Sequence, residues 1–129
     1  MLVSRTSFAA IAAIAALAAL AGAALAQEPA STGPRSADDL EFFERQVRPL
    51  FAEHCVRCHG PEKQESGLRL DHREGWMRGG DRGPALVPGD VEHSRLVYAV
   101  RYRDPEFQMP PDGRLPDAAI AVLEDWVLR

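Results

Sequence analysis

The sequence predicts a small all-α domain with long connecting loops, and three observations carry that reading. Apolar residues recur at helical spacing in two stretches, 40–51 and 119–127. No run of any length alternates polar and apolar residues as a half-buried strand does. Between the periodic stretches lie segments rich in Gly, Pro and Asp, which is the composition of loops. There is no internal repeat.

The chain begins with a stretch that does not belong to the fold. Arg5 supplies a positive start, residues 8–25 are almost wholly Ala, Leu and Ile, and Ala24-Leu25-Ala26 has the small-x-small form of a cleavage site. Residues 1–26 therefore read as a secretory signal peptide, with Gln27 as the new N-terminus. The rival reading is an uncleaved anchor, since the apolar run is near the minimum length for a bilayer span, but its many alanines make it weakly hydrophobic. Either reading places the globular part outside the cytoplasm, in the periplasm or an equivalent exported location. Residues 27–35, rich in Pro, Ser and Gly, read as a disordered linker. One domain of residues 36–129 follows.

Ser36 begins that domain as a helix N-cap, with Asp38 and Asp39 in the first turn. Leu40, Phe43, Val47, Leu50 and Phe51 then recur on one helical face. Pro49 falls inside the pattern and is expected to kink or split the helix near Arg48. The helix is expected to run on through Cys55 to a stop at Gly60-Pro61. Residues 61–67 read as a polar loop, and Leu68 and Leu70 as a short extended piece. Asp71 is expected to cap a brief helix over 72–78, which Gly79-Gly80 ends. Residues 81–89 read as loop with Leu86 and Val87 tucked against the core. Asp90 is expected to cap a helix over 91–101 whose apolar side is Leu96, Val97 and Val100. After a loop over 103–115, Pro116 suits the first turn of a last helix. Ala119, Ile120, Leu123, Trp126 and Val127 form its stripe.

The chemistry is concentrated in Cys55-Val56-Arg57-Cys58-His59. C-x-x-C-H is the attachment pattern of c-type haem. Two thiols add across the two vinyl groups of a porphyrin, and a two-residue spacing brings both sulfurs to one edge of the ring. The following histidine can then give an imidazole nitrogen to the iron. Cys55 and Cys58 are the only cysteines, so no second pair completes a four-cysteine zinc site, and no βαβ pattern surrounds them as in a thioredoxin-like protein. Two other readings stay open: a small disulfide in an exported protein, or zinc on Cys55, Cys58, His59 and one further histidine.

For the sixth position on the iron the sequence offers Met109. A thioether is a soft ligand suited to haem iron, and 50 residues separate Met109 from His59, enough for the chain to pass round the ring and return on its other face. Pro110 and Pro111 stiffen the loop without making it regular. Met77, beside Trp76, reads instead as core filling. Among the histidines, His54 directly precedes Cys55 and points badly for the opposite face, while His72 and His93 lie among charged residues near expected helix starts. Trp76, Tyr98 and Trp126 are candidates to pack on the ring, with aromatic core as the plainer role. Arg69, Arg78 and Arg82 are candidates to pair with haem propionates.

Composition bounds the partners. All 19 acidic residues lie after the expected leader, against 14 basic ones, for a net charge of −5. Nucleic acid is therefore not an expected partner; a redox partner protein is. No stable membrane span is expected once the leader is removed.

From Phe42 onward the chain resembles the planctomycete-type cytochrome c domain, a branch of the class I cytochrome c-like families. The matching pieces are Val47-Arg48-Pro49-Leu50-Phe51, Cys55-Val56-Arg57-Cys58-His59-Gly60 and Gly67-Leu68-Arg69-Leu70-Asp71. They continue with Gly79-Gly80-Asp81-Arg82-Gly83-Pro84, Val87-Pro88-Gly89, Ser94-Arg95-Leu96, Met109-Pro110-Pro111 and Leu123-Glu124-Asp125-Trp126-Val127. The resemblance implies a small cytochrome c-like helical domain wrapped around one covalently bound haem, with Cys55 and Cys58 as tethers and His59 and Met109 as axial ligands. It implies an electron-transfer protein rather than an enzyme. Two departures stand out: Pro116 replaces the usual Ser or Thr cap, and the sequence ends soon after Trp126-Val127, where members usually continue. The second leaves open that the chain is a piece of a longer protein. The alternative functions are a haem-based enzyme or a gas or peroxide sensor with a labile sixth ligand, or the N-terminal electron port of a larger oxidoreductase.

Overall fold

The computed structural model describes residues 36–129; the expected signal peptide and linker lie outside them. The described residues form helices joined by loops, with two isolated bridges, His59 with Gln64 and Gly80 with Gly83, and no strand.

The first helix is one rod built from three pieces: α1 (Ala37–Phe42), a π-helical segment (Phe43–Val47) and α2 (Arg48–His54). Ser36 starts it with a reciprocal capping box to Asp39, which satisfies two of the donors that a helix start leaves free. The widened segment lies directly before Pro49. In a regular helix the proline ring would collide with the carbonyl four residues earlier. Here the Arg48 N–H bonds back to the Phe43 carbonyl, five residues away, and the looser turn accommodates the ring. The expected break near Arg48 is thus a change of winding. The rod ends at His54, before the cysteines and not at Gly60-Pro61 as expected.

A 3₁₀ turn (Glu65–Gly67) and the short helix α3 (Arg73–Arg78) follow. Asp71 does not cap α3, whose N-cap is His72, and the His72 side chain makes no capping bond to the helix. Helix α4 (Arg95–Val100) is shorter than expected. Asp90 does accept from the His93 N–H, but it closes a turn. Ser94, fully buried, then pins the chain by donating to the Asp90 carbonyl at 2.7 Å and accepting from the Val87 N–H at 2.9 Å. Val87 is exposed, unlike Leu86, which is buried as expected. The last helix, α5 (Asp117–Leu128), begins after Pro116 and buries Ile120, Leu123, Trp126 and Val127.

The core joins these elements. Val47 and Phe51 from the first rod meet Trp76 of α3, Val97 and Val100 of α4 and the apolar stripe of α5. Four aromatic rings lock its centre. Trp76 and Trp126 stand edge to face with centroids 5.4 Å apart, Phe51 meets Trp126 edge-on at 5.4 Å, and Phe43 lies 5.2 Å from Trp76. Such tilted and perpendicular pairs are the favoured aromatic geometries. This core holds the rod that delivers the cysteines against the three α-helices that follow.

Candidate functional site

Cys55 to Gly60 leave the rod as a tight turn, and each of its last backbone groups is fixed to the chain beyond. The Cys55 carbonyl accepts from both Cys58 N–H (3.1 Å) and His59 N–H (2.9 Å), which folds the two cysteines to one side. The Cys58 carbonyl accepts from Glu65 N–H, the Gly60 N–H donates to Lys63, and the His59 carbonyl accepts from Leu70 N–H at 2.8 Å. Gly60 is required sterically: a Cβ there would lie 2.3 Å from the Val56 carbonyl oxygen. The His59 backbone is therefore held on both sides.

Beside this turn lies a cavity of about 390 Å³, within the size range of cofactor sites. Cys55, Cys58, His59 and Met109 all line it. The first three come from one turn; Met109 arrives on a distant loop whose N–H donates to the Ala99 carbonyl at the end of α4. Leu68 and Leu70 form part of the wall. Leu96, Ala99 and Val100, which fall on one side of α4 by their i, i+3 and i+4 spacing, form another.

The thiols are free and partly buried. Burial pushes the Cys55 thiol up to about 11, with the neighbouring Cys58 adding to the rise. A redox-active pair of thioredoxin type needs the opposite shift, toward thiolate. Among the described residues no group of three or more His, Cys, Asp and Glu is gathered as a metal site would require, so zinc on Cys55, Cys58, His59 and a further histidine is not assembled here.

The model of the family Planctomycete cytochrome C matches residues 55–113. Over residues 55–113 the chain is similar to the planctomycete-type cytochrome c domain. That match starts at Cys55 and takes in the whole stretch from the C-x-x-C-H turn through Met109. No curated protein and no solved structure matches the chain. A cytochrome c domain implies covalent haem c and haem-based electron transfer.

The residues of the cavity fit that group. His59 is buried, and its Nδ1 has no hydrogen-bond partner. An unsatisfied buried polar atom costs on the order of 1–3 kcal/mol, which a ring of purely structural role would not be expected to carry. Two thiols at haem-attachment spacing, an imidazole and a thioether border a largely aliphatic wall, the surroundings that a flat apolar macrocycle with an iron centre needs.

Other sequence candidates divide. Trp76 and Trp126 are core residues and do not line the cavity. Tyr98 is exposed and bonds Asp104. Met77 is partly buried against the core, as expected. His72 and His93 pair with Asp71 and Asp90, while His54 does border the cavity. Of the three arginines, Arg82 lines the cavity; Arg78 does not, and Arg69 is committed to Asp71. Arg57, Lys63 and Arg95 also line it. Sequence reasoning passed over Arg95, because its place depends on which side of α4 meets the cavity.

Proposed function

We propose that this chain is an exported, periplasmic monohaem c-type cytochrome that passes single electrons to and from a redox partner protein. Cys55 and Cys58 hold the haem covalently, His59 is the proximal ligand and Met109 the distal one. The observation that supports this most is the convergence on one cavity of the C-x-x-C-H turn and a methionine 50 residues away. When bound, the haem supplies the Fe(II)/Fe(III) couple. The chain's own part is to hold and tune it. The backbone bonds around His59 fix the main chain that presents the imidazole, the aliphatic wall excludes water from the ring, and the loop carrying Met109 closes the far side. Rigid ligands and a dry wall keep rearrangement small when charge changes, which favours fast transfer.

The test is an absorption spectrum, oxidised and dithionite-reduced, of protein exported in a host able to mature c-type haem. The expected result is a sharp α-band on reduction and, in the oxidised protein, the weak far-red band of methionine ligation. Met109→Ala should abolish the weak band and leave the haem covalently bound. A protein without a Soret band would overturn the reading.

A second reading draws on one observation: Met109 lies on a segment between α4 and α5 without helix or strand. If Met109 leaves the iron, a five-coordinate site would bind a diatomic gas or peroxide. A high-spin spectrum that shifts on adding carbon monoxide would favour this sensor or enzyme role.

A further inference from the structure

Four cations line the cavity: Arg57, Lys63, Arg82 and Arg95. Two have carboxylates of their own. Arg57 pairs with Asp112 at 2.5 Å and Lys63 with Glu65 at 2.7 Å. Arg82 and Arg95 have no ion pair among the described residues, although Asp81 and Glu65 line the same wall. Both sit where the tethered turn is not. Arg82 lies in the 80–83 turn that the Gly80–Gly83 bridge closes, and its guanidinium lies 4.9 Å over the Phe107 ring, another residue of the cavity wall. Stacking of this kind fixes the plane of a guanidinium and leaves its edge N–H groups free to donate. Arg95 opens α4 on the side that faces the cavity, four residues before Ala99. The Leu96 N–H bond to the Ala85 carbonyl ties that first turn to the segment just after Arg82.

We propose that Arg82 and Arg95 form the propionate site of the haem, each taking one carboxylate. The inference rests on the reading that a haem occupies the cavity. A haem held by its vinyl edge carries two carboxylates away from that edge. Two guanidiniums without carboxylates, on elements other than the cysteine turn, match them in number and sign. The guanidinium fork suits a carboxylate bidentately. The other titratable groups that line the cavity are His54, Cys55, Arg57, Cys58, His59, Lys63, Glu65 and Asp81.

The experiment uses the full chain, exported and matured with haem, and measures reduction potential at one pH and salt concentration, together with the propionate-bending band in the resonance Raman spectrum. A cation near the iron favours the reduced state, so Arg82→Gln and Arg95→Gln should each lower the potential and shift the propionate band. Arg95→Lys should restore much of the potential but not the band, because an ammonium keeps the charge and loses the fork. Arg78→Gln, off the cavity, should change neither. If Arg82→Gln and Arg95→Gln both keep their haem with potential and band unmoved, the propionate site is overturned and the haem reading stands. If the unaltered protein takes up no haem, both fall together. Should one glutamine variant fail to mature, the other and Arg95→Lys still decide the question.

Discussion

Arg69 grips Asp71 with both arms of its guanidinium, Nε to Oδ1 at 3.0 Å and Nη2 to Oδ2 at 2.5 Å, and His72 Nδ1 lies 3.1 Å from the same carboxylate. The Arg69 hydrogen bond, reinforced by His72, holds the Asp71 carboxyl well below the usual carboxylate range. A carboxyl whose folded-state value is depressed stabilises the fold fully above its unfolded value, about 4, and loses that contribution as pH falls further. Asp71→Asn should therefore cost about 1–2 kcal/mol at neutral pH, and the cost should shrink as pH is lowered below about 4. Urea unfolding of the haem-bound protein at pH 7 and at pH 3 measures both. An equal loss at the two pH values would mean that Asp71 acts through packing rather than charge. A sequence reader sees Asp71 before a helical pattern and takes it for a cap. Arg69, two residues back on an extended piece, competes for it with a charge-assisted fork, and that bond is the stronger.

The loop between α4 and α5 carries Met109 without regular structure, so its order must come from side chains. The Tyr102 hydroxyl donates to the Pro110 carbonyl, the Gln108 amide donates to the Tyr102 carbonyl, and Met109 N–H reaches back to Ala99. Tyr102 itself holds a φ of 60°, a backbone region that L-residues seldom occupy without such support. If Met109 is the sixth ligand, Tyr102 positions it. Tyr102→Phe should remove about 1 kcal/mol of that support, raising the population with Met109 away from the iron roughly fivefold. Carbon monoxide binding to the reduced protein reads that population, and a variant that binds no more than the unaltered protein would show that the latch does not hold the ligand. Elements of this kind mark the border of what the sequence tells. Ser36 and the stripe from Ile120 to Val127 could be found because their signals are local: a cap beside its helix, and apolar residues repeating on one face. The first rod could be found but not its end, because helical apolar spacing continues up to a turn that only the bonds of Cys58, His59 and Gly60 with later residues create. Helix α4 was overextended for a similar reason, since Asp90 has the chemistry of a cap and uses it on a turn.

At the scale of the whole molecule, the core and the cavity share walls. Leu70, Leu96 and Val100 belong to the hydrophobic core and also line the cavity, so what fills the cavity completes the core. Cys55, Cys58 and His59 could be proposed from sequence because covalent haem attachment demands fixed residue types at fixed spacing, and Met109 because a soft ligand sits on a proline-stiffened loop 50 residues on; the structure brings the four to one cavity. Of the two unpaired arginines on the wall, Arg82 was a sequence candidate and Arg95 was not, since charge alone does not say which side of α4 turns inward. Small domains have only about 5–15 kcal/mol of net stability, and a chain of this size buries a limited apolar surface by itself, so covering these shared walls matters to the whole fold. Cys55→Ala/Cys58→Ala protein, made without haem, should show a marked loss of near-ultraviolet circular dichroism and no cooperative thermal transition, while the haem-bound form melts cooperatively. The edge-to-face pair of Trp76 and Trp126 makes the near-ultraviolet signal a direct reporter on the core. A haem-free variant that kept that signal and a cooperative transition would mean that the aromatic cluster holds the fold by itself, and that the haem is a passenger on a finished core.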